Sequence, residues 1–155
     1  MTKDASNADL ARDLVARAKI ASLGTVALRP AGHPFVTLVG VATDERRRPV
    51  LLLSSLAEHT KNLEACANAS LLFADPTPVE DPLALARVTV VGECRRVPES
   101  EIEAVRERYL AVHPEAKRWA AFKDFAFYRL EPTDLRIVVG FGRMSWLEGS
   151  ALSNA

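Results

Sequence analysis

The stretch Pro49-Val-Leu-Leu-Leu-Ser-Ser-Leu-Ala-Glu-His-Thr-Lys-Asn-Leu63 changes its period in the middle. Val50 to Leu53 is a short apolar run, the length of a buried strand. From about Glu58 the pattern turns helical, and Leu63, Cys66 and Ala67 fall on one face of a short helix. The junction carries Ser54, Ser55, His59, Thr60, Lys61 and Asn62, hydrogen-bonding groups with Lys61 as the single firm cation. A helix start presents unpaired N–H groups and a positive dipole end, so these residues favour an anion such as phosphate. Ser, Thr and Asn are also ordinary capping residues, and a plain capped helix accounts for the same stretch.

Upstream, Ala8 to Ile20 has Leu10, Leu14, Val15 and Ala18 at helical spacing and reads as an amphipathic opening helix. Ala21–Arg29 and Phe35–Thr43 flank the turn-like Pro30-Ala-Gly-His-Pro34 and read as a hairpin. Gly40 inside the second strand points to a bend or a close approach by another backbone. Arg46-Arg47-Arg48 reads as a solvated hairpin tip before Pro49. Downstream, strands are expected over Ser70–Ala74, Arg87–Val97, Phe125–Leu130 and Leu135–Val139, with a turn at Pro132 to Asp134. A proline-rich loop spans Asp75–Pro82, and a helix begins after Pro98 with Ile102, Val105, Tyr109 and Val112 on its apolar stripe. Sequential strands with short connections and bend-forming glycines predict a mainly β, α+β protein. The expected form is an antiparallel split β-barrel of about seven strands with two to four helices.

The 155 residues suit one domain over 1–155, with 1–7 and 148–155 expected as flexible tails. Twenty basic and twenty acidic residues cancel, so no overall field attracts nucleic acid or anionic lipid. Cys66 and Cys94 stand far apart in no metal-ligand spacing, and free thiols imply a reducing, cytoplasmic setting. Neither a signal-peptide run nor an apolar segment of membrane-spanning length is visible. Of the three histidines, His33 lies in a turn, His113 at a helix end, and His59 alone among other polar groups. No serine elbow, metal-spaced His/Cys set or phosphate-cradling glycine loop is present, so no catalytic side chains or metal ligands are assigned. Any chemistry is expected to come from a cofactor.

In order along the chain, Pro34–Thr43, Leu52–Leu63, Ser70–Asp75, Asp81–Gly92 and Gly140–Leu147 resemble the pyridoxamine 5′-phosphate oxidase-like, FMN-binding split-barrel superfamily, nearest its haem-utilisation branch. The resemblance implies a homodimer with FMN in clefts at the subunit interface and a flavin-dependent oxidoreductase of unknown small-molecule substrate. It places Thr37, Leu38 and Val39 along the flavin, and Ser54 and Ser55 at the ring and ribityl chain. It sets His59, Thr60, Lys61 and Asn62 at the phosphate, and Arg87 on the other side of the cleft. It also admits a haem-binding or haem-degrading protein on the same fold, or a flavin-binding module without enzymatic activity.

Three departures bear on this. Val36 or Thr37 stands where the oxidases usually carry an arginine, and Glu58 and His59 stand where they carry further basic residues. Their C-terminal Arg, Trp and His pattern is missing, which argues against pyridoxamine phosphate as substrate. The tail from Glu148 has no histidine, so haem would need one of the three upstream ones.

Overall fold

The computed structural model describes residues 3–153. Helix α1 (Lys3–Arg17) leads into strands β1 (Ile20–Val26), β2 (Pro34–Gly40), β3 (Ala42–Thr43) and β4 (Pro49–Ser54). Helix α2 (Glu58–Ala65), strands β5 (Asn68–Ala74) and β6 (Ala86–Arg96), and helix α3 (Ile102–Val112) follow. Strands β7 (Phe125–Val139) and β8 (Met144–Glu148) complete the order.

All pairings are antiparallel, in the series β2-β1-β5-β6-β7-β4-β3, with β8 added on β7. The run expected as one strand, Phe35–Thr43, is divided at Val41. Its two halves, β2 and β3, stand at opposite ends of the series although they are consecutive in the chain. That continuity curls the sheet back toward its own first edge, the split-barrel form the strand pattern predicts. Gly40 marks the pivot: a Cβ there would lie 2.8 Å from the Tyr109 hydroxyl of α3.

The inner face of the sheet packs Leu23, Leu71, Phe73, Val88, Val90, Leu135 and Ile137 against Ala11, Leu14 and Val15 of α1. A second apolar cluster joins α3, through Val105 and Tyr109, to Val50, Val97 and Phe127 on the other face. Where α3 ends, the outer face is bare, and Ile20, Val36, Leu38, Leu72, Met144 and Trp146 are all exposed.

Several expectations are corrected. The helix begins at Lys3 rather than Ala8, and Asn7 is buried and donates to Ser145 Oγ at 2.9 Å. At the other end β8 reaches Glu148, and Leu152 is buried. Helix α1 thus takes in residues 3–7, with Asn7 buried, and Leu152 is buried beyond β8, while the rest of the expected tails lies outside the described residues. Pro132 does not end a strand. Residues 125–139 form one long strand that bulges at Thr133, left without a ladder partner between the pairs Asp134–Val91 and Pro132–Gly92, so the proline falls at the irregularity in the ladder. Gly92 permits the bulge, since a Cβ would sit 2.0 Å from the Glu131 carbonyl oxygen. The arginine tip is only partly solvated: Arg48 pairs with the buried Asp44 at 2.8 Å and with Glu131 at 3.0 Å.

Candidate functional site

The junction of β4 and α2 is built from short-range hydrogen bonds. Ser54 Oγ accepts from the Leu56 amide at 3.2 Å, which turns the chain out of the strand, and the Ser55 amide donates to Asp124 O at 2.6 Å. Ala57 occupies the helix N-cap without a side-chain cap. The Thr60 and Lys61 amides both reach the Ala57 carbonyl, whereas the buried Thr60 Oγ1 has no hydrogen-bond partner. Lys61 Nζ pairs with Glu58 Oε1 at 3.0 Å, so the one firm cation of the stretch shares its first turn with an opposite charge.

His59 is half-buried and meets Thr37 of β2 through Nδ1, at 2.9 Å from Oγ1. Burial disfavours the imidazolium and pushes the His59 pKa below its ordinary value. The neutral ring is thus favoured, with Nδ1 engaged by Thr37. The other histidines differ. His33 lies exposed in the β1–β2 turn. His113 is buried against Tyr109, with Nε2 at 2.9 Å from Val41 O and Nδ1 at 3.4 Å from Glu115.

Asn62 is spent inside the fold. It is 2% exposed; its Oδ1 accepts from the Leu28 amide and its Nδ2 donates to Thr25 Oγ1, both at 3.0 Å. These bonds press α2 onto the β1–β2 hairpin. The other end of α2 is held by Glu64, which accepts a short hydrogen bond from Tyr128 of β7 and one from Arg96 of β6 at 3.2 Å. The Tyr128 bond, helped by Arg96, holds the Glu64 carboxyl below its usual range, while burial lifts the Tyr128 phenol to about 12. The sequence carries no signal for this anchor, because Glu64 reads as a solvated helix face and Tyr128 as one more strand aromatic.

Thr37, Leu38 and Val39 separate by strand alternation. Thr37 faces His59, Leu38 is exposed, and Val39 is buried in the core. Arg87 is not brought to this group. It pairs in register with Val138 and its Nη1 donates to Leu83 O at 3.0 Å, bracing the proline-rich loop. Arg96, which contacts α2, lies nine residues along the same strand, roughly 25–30 Å away at the usual rise per residue. Near the Thr37–His59 pair, Leu28, whose amide meets Asn62, and Leu56, at the entry to α2, are exposed apolar side chains, each more than half accessible, whereas Leu38 points to the opposite face of β2.

Residues 2–153 of the sequence match the family model "CREG, beta-barrel". The chain belongs to the CREG β-barrel family. Within reach of this CREG β-barrel chain is the chloroplastic non-canonical heme oxygenase HOZ of Arabidopsis thaliana, 44% identical over 119 residues, or 76% of this chain. The heme binding protein from Mycobacterium smegmatis superposes with a TM-score of 0.88 at 31% identity, over 99% of the chain. A protein of the pyridoxinephosphate oxidase family from Clostridium acetobutylicum shares the fold at a TM-score of 0.70 and 14% identity, with 94% and 96% of the two chains covered. The chain spans 36% of the length of the plant relative and 61% of the mycobacterial one. The resemblance to oxidase-like split barrels, nearest the haem-utilisation branch, holds in this company. Among the described residues no helix of this CREG β-barrel is long and apolar enough to cross a membrane.

Proposed function

We propose that this CREG β-barrel protein binds haem beside β2 and α2, with His59 as the iron ligand, and serves haem breakdown. The observation that carries the proposal is the Thr37–His59 pair. A ligating imidazole must be neutral and is commonly oriented by a hydrogen bond at its other nitrogen. His59 is half-buried, favoured in its neutral form, and tied at Nδ1, so Nε2 is the nitrogen left for iron. His113 has both nitrogens beside oxygen atoms within a buried cluster. The donor chemistry therefore fits haem, and the exposed Leu28 and Leu56 supply apolar contact for a macrocycle. Thr37 would fix the plane of the His59 ring. When bound, haem supplies iron redox and oxygen chemistry, and the protein's part is to hold and orient it. The relatedness to a heme oxygenase and to a heme binding protein supports this choice of cofactor. The bare outer sheet face, with Val36, Leu72 and Trp146 exposed, supports a second copy of the chain as partner.

FMN is the second reading, favoured by the orphaned Thr60 Oγ1 and the uncapped start of α2. Against it, a phosphate there would meet Glu58, which already holds Lys61. Haemin titration separates the two. The expected result is a saturable Soret band that His59→Ala abolishes and His33→Ala leaves unchanged. An unchanged band in His59→Ala overturns the haem assignment, and flavin absorbance retained after adding FMN and desalting favours FMN.

A further inference from the structure

Away from the Thr37–His59 pair, a cleft of about 380 Å³ opens between the first turns of α3 and the paired ends of β6 and β7. Its lining is mixed: Ile102 from α3 and Phe125 from β7 form an apolar side over the buried Phe127, and Arg96, Glu99 and Arg106 supply charged groups. Two arginines border it. Arg96 is committed through its Nε to Glu64 and Tyr128. Arg106 is not: its Nε is buried with no hydrogen-bond partner, and the nearest carboxylate oxygen, on Glu103, stands 3.8 Å away. A guanidinium offers five donors in a planar fork and accepts nothing, and buried donors in folded proteins nearly always have an acceptor. The Arg106 side chain is 34% exposed, so an oxygen ligand entering the cleft reaches the outer nitrogens first. A small rotation of the guanidinium plane then brings Nε into the same bidentate contact. Glu99 also borders the cleft, and its negative charge disfavours a ligand with a second one nearby.

We infer that this cleft is a second ligand site, which takes a small aromatic monocarboxylate with its ring between Ile102, Phe125 and Phe127 and its carboxylate on Arg106. The ring is recognised by area and edge-to-face packing, and the charge by the arginine fork. Glu99 sets the preference for one negative charge over two. No residue of this site belongs to the haem or flavin cleft, so it stands or falls independently of that assignment.

The test uses 2-naphthoate as probe with the full chain, followed by amide chemical-shift perturbation. Saturable shifts confined to residues 96–106 and 120–127 are expected, with and without haemin present. Removing a charged hydrogen bond of this kind weakens binding about tenfold to a hundredfold, and Arg106→Ala should lose that much. In the unaltered protein, 2-naphthamide and 2-naphthyl phosphate should bind more weakly than 2-naphthoate, a comparison that needs no variant to fold. Equal binding of acid and amide overturns the inference, as do shifts outside these segments or an Arg106→Ala protein that folds and binds as tightly.

Discussion

Replacing Asn62 by alanine separates a residue that builds the site from one that touches a cofactor. Asn62 makes two buried hydrogen bonds, to the Leu28 amide and the Thr25 hydroxyl, each at 3.0 Å. Each bond contributes about 1 kcal/mol net, and the Leu28 amide left without an acceptor adds about 1 kcal/mol of desolvation cost, so the loss should be about 3 kcal/mol. With a urea slope of about 2 kcal/mol/M, the unfolding midpoint then falls by about 1.5 M. Thr25→Val removes one partner of the same network. The double variant should therefore lose less than the sum of the two single losses by about 1 kcal/mol. Urea unfolding followed by circular dichroism, at fixed protein concentration, measures all three variants. Haemin binding by the folded Asn62→Ala protein should be retained at low denaturant, since the amide faces inward. An Asn62→Ala protein with an unchanged midpoint and lost cofactor binding would refute this reasoning, because it would place the amide on the ligand.

Two glycines should respond differently to an added methyl group. Gly92→Ala would place a Cβ 2.0 Å from the Glu131 carbonyl oxygen, which the β6–β7 ladder holds in place, so a loss of more than about 3 kcal/mol in thermal or urea unfolding is expected. Gly40→Ala meets the far end of the Tyr109 side chain at 2.8 Å, which can shift, and should lose about 1–2 kcal/mol. Equal losses would show that the bulge backbone yields. His59 should titrate below the ordinary histidine range in the folded protein, read from its ring proton shifts against pH. Because the unfolded chain binds that proton first, His59 should cost stability as pH falls from about 6.5 through its folded value. His59→Gln should flatten that part of the curve, and a His59 pKa at or above 6.5 would contradict the burial argument.

Most strands, the two longer helices and the proline-rich loop were legible because each is a local pattern: alternation, helical spacing, or residues that cannot donate to a ladder; β8 (Met144–Glu148) was not expected as a strand. The bends at Gly40 and Gly92 were legible as positions, but not what approaches them. The Tyr109 hydroxyl and the Glu131 carbonyl arrive from distant parts of the chain. For the same reason the sequence divided β7 at Pro132, where a bulge at Thr133 against β6 lets one strand continue.

What the sequence determined by itself about the site was its address, the β4–α2 junction, together with the supply of hydroxyls, a histidine and a single lysine. The tertiary structure alone decided how those groups are used. It set Thr37 against His59 across two elements, turned Asn62 inward to Thr25 and Leu28, tied Lys61 to Glu58, and left Arg87 at the far end of β6. Residue type states what a side chain can bond to. Which bond it makes depends on the partners that folding brings within about 3 Å. Glu58 is one helical turn from Lys61, but the partners of His59 and Asn62 come from more than twenty residues away.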